Sequence, residues 1–119
     1  MGEYTAWATF FASRVVITSR AGRTAEVVYG KWIQFVGWTV DSRYAIMNDF
    51  DQYGNTWAHA FDTVRWKEIP LAPTARGIRA CIPTMDGRGC KEGAKTIAPD
   101  GQSVMLYDGT LVNLADLAK

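Results

Sequence analysis

Between Thr24 and Trp66 apolar and polar residues alternate in short runs, and turn-forming residues break the runs at regular intervals. A period of two over five to seven residues is the mark of a strand, so this stretch restricts the chain to a mainly β fold. The same stretch holds four of the five tryptophans and the single histidine, His59. A β-rich sheet with an aromatic surplus is therefore the frame for every other reading.

The runs order themselves as hairpins. Val15–Thr18 and Thr24–Tyr29 are β-branched and flank Arg20-Ala21-Gly22-Arg23, a turn built on its glycine. In Lys31–Val40, Trp32, Gln34, Val36 and Trp38 alternate with Ile33, Phe35 and Gly37, and Gly37 in mid-strand marks a bulge or bend. Asp41-Ser42 turns into Tyr44–Met47, a loop follows at Asp49–Asn55, and Thr56–Ala60 returns as a strand. Phe61–Trp66 reads as a single turn leading to a short closing strand. Upstream, Tyr4, Trp7, Phe10 and Phe11 fall at helical spacing and predict a short N-terminal helix.

Two prolines and a glycine make 70–77 a linker. Beyond it, 78–119 forms a C-terminal β extension. Asp108-Gly109 sits between Val104–Tyr107 and Thr110–Leu114, the dipeptide most diagnostic of a two-residue hairpin turn. The order strand, turn, strand, Asp-x-apolar in this tail echoes residues 45–64, and the tail is expected to pack on, or extend, the first sheet. At 119 residues the whole chain is one domain, 1–119, with a barrel-like core at 14–69.

That order of elements over residues 14–69 resembles the Src-homology-3-like small β-barrels. A narrower set, Val36-Gly37-Trp38, Tyr44-Ala45 and Trp66-Lys67-Glu68-Ile69, resembles the plasmid-borne type II dihydrofolate reductases. The strand Thr56–Ala60 lacks the substrate-reading motif of those enzymes, so the resemblance implies a barrel and not their activity. The expected fold is a small curved antiparallel barrel, a β-rich α+β variant with the N-terminal helix and an added C-terminal β-hairpin.

Functional candidates follow from the aromatics. Trp32, Trp38, Trp57, His59 and Tyr44 are expected to form a binding face, with Arg14, Arg20, Arg23 and Arg43 as a basic patch beside it. A net charge of +1 argues against a sequence-independent polyanion binder. No nucleophile elbow, zinc spacing or phosphate loop is present; Asp49–Gly54 begins like a calcium loop but has Tyr53 and Ala60 where ligands belong. No catalytic residue, metal or cofactor is assigned.

The expected function is a non-enzymatic module that binds a protein partner or a second copy of itself. Nucleic-acid binding is the alternative, and a small-molecule or enzymatic pocket near His59 the third reading. Chains of this type suggest a phage or mobile-element origin. No apolar run is long enough for a membrane span, so a cytoplasmic protein is expected, with Cys81 and Cys90 reduced; a loop disulfide in an exported protein is the other reading.

Overall fold

The structure, a computed structural model, describes residues 6–11, 14–19, 21–28 and 32–117. It is mainly β, with three antiparallel sheets laid face to face in chain order. The first contains β1 (Ala6–Phe11), β2 (Arg14–Ser19) and β3 (Thr24–Val28). The central sheet runs β4 (Trp32–Trp38), β5 (Tyr44–Phe50), β6 (Thr56–Asp62) and β7 (Lys67–Pro70). The third contains β9 (Ala94–Ile97), β10 (Ser103–Leu106) and β11 (Leu111–Asn113), followed by a four-residue helix, α1 (Leu114–Leu117). Between the last two sheets, β8 (Lys91–Glu92) adds a short parallel pairing to the start of β6.

Each sheet is a meander, in which neighbours in sequence are neighbours in space. Alternation along β5 sends side chains to two layers. Ile46 faces a core shared with Val104, Leu106, Val112 and Leu114 of the C-terminal sheet and helix. Ala45 and Met47 face a second core with Val15, Ile17 and Val27 of the N-terminal sheet. The central sheet is thus covered on both sides, which is why β4 and β5 are apolar on both faces.

Two expectations change here. Among the described residues the strands do not close into a barrel; the apolar faces are satisfied by stacking separate sheets. The N-terminal stretch is a strand and not a helix, because Ala6–Phe11 pairs residue for residue with Arg14–Ser19. Tyr4 lies outside the described residues. The tail packs its hairpin sheet on the face of the central sheet and also adds the short β8 to β6, with the Asp108-Gly109 turn in place between β10 and β11. The stretch at 70–77 is held in the fold, since Leu71 and Ala72 are fully buried and both donate backbone N–H to Ala58 O.

Three buried polar side chains fix the strands and the loops beside them. Asn48, fully buried, accepts from Ala94 N (2.6 Å) and donates to Ala94 O (2.9 Å), so one amide acts as a strand partner for β9. Asp62, also fully buried, receives Arg43 in a two-pronged pair at 3.1 and 3.0 Å. Glu92 is buried and accepts from Thr74 N, Thr74 Oγ1 and Arg79 Nε. Arg79 also pairs with Asp108 on the C-terminal hairpin.

Burial opposes the charge on Glu92, but the hydrogen bonds from Arg79 and Thr74 outweigh it and hold its carboxyl below the ordinary value. A depressed carboxylate contributes stability that is full above its unfolded pKa and is lost as pH falls through the folded one. Urea midpoints measured from about pH 6 down to pH 3 are expected to fall more steeply for the parent than for Glu92→Gln, which has no proton to take up there. Equal slopes for the two proteins would show that Glu92 does not contribute to the acid limb.

Cys81 and Cys90 are joined, with Cα atoms 5.5 Å apart. The bond closes a loop whose tip is exposed at Ile82 and Met85 while Cys90 is fully buried. Loop closure of this length stabilises the chain by about 2.5 kcal/mol in the chain-entropy account.

Candidate functional site

The residues of the expected aromatic face are divided between the two sides of the central sheet. Trp32, the first residue of β4, stands opposite Phe50 and remains 46% exposed. Trp38 belongs to the other side. A bulge between Phe35 and Gly37 shifts the register, so Trp38 pairs with Ala45 and packs edge-on to Phe35 at 6.1 Å, within the core under the N-terminal sheet. Trp57 and His59 alternate with the buried Ala58 and Ala60 on β6 and are half-buried. Tyr44 is buried against the C-terminal sheet.

The basic patch does not assemble either. Arg14 pairs with Glu26 at 3.2 Å, both half-exposed. Arg23 lies over the ring of Trp66 at 4.8 Å, and Trp66 in turn packs edge-on to Phe61 at 5.0 Å. Arg43 is occupied by Asp62 and lies 5.0 Å from the Tyr44 ring centre. Arg20 lies outside the described residues. Acids close in space take up the charge of Arg14 and Arg43, and aromatic rings face the cations of Arg23 and Arg43.

Two arrangements have chemical capacity. The first is a titratable trio on the side of the sheet that carries Trp57. His59 Nδ1 is 2.9 Å from Glu68 Oε1, and Asp49 is next in the same field. Burial raises the Asp49 carboxyl above its ordinary value; His59 pulls it down, while Glu68 and Asp51 push it further up. The trio is an imidazole between two acids. Asp49 in it holds its proton to higher pH than a solvated carboxyl.

The second arrangement is a groove of about 570 Å³ at the start of β4 and the end of β5, lined by Trp32, Ile33, Gln34, Phe50, Asp51, Gln52 and Gly54. Its floor is a hydrogen-bonded turn. Asp51 Oδ1 accepts from the backbone N–H of Tyr53 and Asn55, and Asp51 Oδ2 accepts from Asn55 Nδ2 at 2.7 Å. Desolvation is the largest single influence and opposes the charge, but the bonds from Asn55 and the turn amides together outweigh it and hold the Asp51 carboxyl below its ordinary value. Its oxygens serve the turn and not a cation. Among the described residues no cluster of His, Cys, Asp and Glu suits a metal ion.

Asn55 anchors that floor to the disulfide loop. Fully buried, it donates to Thr84 O (2.8 Å) as well as Asp51, and its Oδ1 accepts from Cys90 N (3.2 Å) and Thr84 N (3.4 Å). Thr56 N closes the circuit by donating to Cys90 O at 3.0 Å. Gly87 allows the loop to approach the Tyr53 carbonyl, where a Cβ would collide with the backbone, and its φ of 73° favours glycine.

The groove therefore offers flat apolar surface from Trp32 and Phe50 beside the amides of Gln34 and Gln52. Such a lining suits a compact ligand with C–H faces and hydroxyl edges. The sequence pointed to Trp32. Phe50 and Gln52 could be found only through the cross-strand pairing with Trp32 and the fold of the turn.

No family model matches the chain, and no solved structure matches it. Among curated proteins it is similar to sucrose:sucrose 1-fructosyltransferase of Festuca arundinacea, 33% identical over 96 residues, covering 76% of this chain and 12% of that protein. It is also similar to vacuolar acid beta-fructofuranosidase 1 of a Rosa hybrid cultivar, 39% identical over 64 residues, covering 51% of this chain and 10% of that protein. The chain spans about a tenth of the length of these relatives. Their names overturn the expectation of a non-enzymatic binding module and point to an enzyme-related chain. Both are plant proteins, so a phage or mobile-element origin has no support. An aromatic surface alone does not separate a partner-binding face from a sugar-binding one, because both use exposed rings.

Proposed function

We propose that this chain takes part in the chemistry of β-fructofuranosides such as sucrose, and that the groove at Trp32 recognises the sugar. The observation that carries this reading is the similarity of three quarters of the chain to a fructosyltransferase. The groove supports it physically. Trp32 and Phe50 present apolar rings to the C–H face of a sugar, and Gln34 and Gln52 bring amides to the same space. The disulfide supports a chain that matures in an oxidising compartment, where such a bond persists, in place of the cytoplasm. Among the described residues no helix is long and apolar enough to cross a membrane.

Isothermal titration with sucrose tests the proposal. The parent protein is expected to bind it, and Trp32→Ala to weaken binding about 10-fold with an unchanged melting temperature, since that ring is half-exposed and contributes little to the core. Absence of sucrose binding by the parent, or full affinity in Trp32→Ala, would overturn the assignment of this groove.

A further inference from the structure

A second cavity, of about 340 Å³, adjoins the groove. It is lined by Phe50, Gly54, Thr56, Lys91 and Tyr107, and it shares Phe50 and Gly54 with the first. The two cavities thus meet at Phe50 and Gly54, and Tyr107 lines the second but not the first. Tyr107 follows β10 and is 49% exposed, yet its backbone N–H donates to Gly93 O at 2.9 Å. Its position is fixed while its ring remains open to a ligand. Lys91 is fixed too, because β8 pairs it with Thr56 at the head of β6.

We infer that these compartments form one continuous oligosaccharide site, in which Tyr107 stacks on a sugar unit beyond those held at Trp32. The inference rests on the fructoside reading of the groove given above. Its own support is the wall shared at Phe50 and Gly54, with the Trp32 ring lining the first cavity alone and the Tyr107 ring the second alone. The second compartment has no carboxylate in its lining and a single cation, Lys91, whose ammonium donates to hydroxyl oxygens. That set fits a neutral polyhydroxylated unit. Recognition of an anion calls for several donors converging on it, commonly with arginine among them.

The consequence is a preference for length. The first compartment has room for a disaccharide, and the second becomes useful only when the ligand continues past Phe50. Tyr107 is then a specificity residue for the longer ligand and has no part in holding sucrose.

Isothermal titration of the full chain with sucrose and with a linear fructosyl tetrasaccharide tests this. The parent is expected to bind the tetrasaccharide more tightly than sucrose. Tyr107→Ala is expected to weaken the tetrasaccharide about 5-fold, leave sucrose unchanged and keep the melting temperature of the parent. Trp32→Ala weakens both ligands. Equal parent affinity for the two sugars, or a Tyr107→Ala effect that is absent or the same for both, overturns the extended site while leaving the Trp32 groove standing. If the parent binds neither sugar, the fructoside reading itself falls, and the extended site with it.

Discussion

Replacing Arg43 with alanine is expected to cost about 3 kcal/mol of folding stability, read as a lower urea midpoint with an unchanged slope. Its partner Asp62 is fully buried, and both guanidinium contacts to it, 3.1 and 3.0 Å, disappear in the variant. The carboxylate then keeps only the backbone N–H groups of Val64 (2.9 Å) and Arg65 (3.3 Å). These spare it complete isolation, which places the loss at the lower end of the range for a broken buried pair. Arg43 also loses its place over the Tyr44 ring. Lysine restores the charge but not the two-pronged geometry, so Arg43→Lys should recover less than half of the loss. A surface residue of a binding patch behaves differently: its removal leaves the midpoint within about 0.5 kcal/mol of the parent.

Asn55→Ala is expected to cost a similar amount, about 3 kcal/mol, by a different route. The amide is fully buried and serves as donor to Asp51 Oδ2 and Thr84 O and as acceptor from Cys90 N and Thr84 N. Truncation leaves Cys90 N–H in a buried place without its acceptor. Hydrogen exchange gives the sharper readout. The Cys90 amide should exchange at least 10-fold faster in the variant, while amides in the centre of β5 follow only the global loss. Asn55→Asp should be no better than alanine, because it sets an acceptor against the Thr84 carbonyl and the Asp51 carboxylate. A variant that retains parental stability would mean that the turn and the disulfide loop are not coupled through this amide.

Much of the strand pattern was legible because every strand but β8 is adjacent in sequence to its partner. Gly22 (φ 88°) and Gly109 (φ 91°) mark the hairpin turns they were read to mark. What covers those strands was not legible. Alternation shows that both faces of residues 32–38 are apolar, and a closed barrel and a stack of sheets meet that demand equally well. The N-terminal stretch fits two periods at once, and pairing with Arg14–Ser19 decided between them. At Trp38 the fault was local. The bulge at Gly37 was visible in the sequence, yet the face of Trp38 was read as though alternation passed through it undisturbed.

The candidate site was legible only in part. Trp32 was named as one of a set of aromatics, and nothing in the alternation set its exposure apart from that of Trp38. Tyr107 lies more than 70 positions away, in another sheet, and only packing of the third sheet on the second brings its pocket next to Phe50. The arginines misled because charge in a sequence carries no information on its partner. Asp62 lies 19 residues from Arg43, and Glu26 lies 12 residues from Arg14. The cysteines were expected to be reduced, and that expectation is overturned: spacing in the sequence does not show that the loop folds back to bring their Cα atoms within 5.5 Å and join them.

The loop closed by Cys81 and Cys90 has a bearing on how the protein meets proteases. Its tip, with Ile82 and Met85 nearly four-fifths exposed, is an inviting place for a first cut. A cut there severs the backbone but not the molecule, since the disulfide spans the gap and Asn55, Glu92 and Arg79 hold both sides in place. The clipped protein would migrate as two pieces on a reducing gel and as one without reductant, still folded and still carrying both compartments.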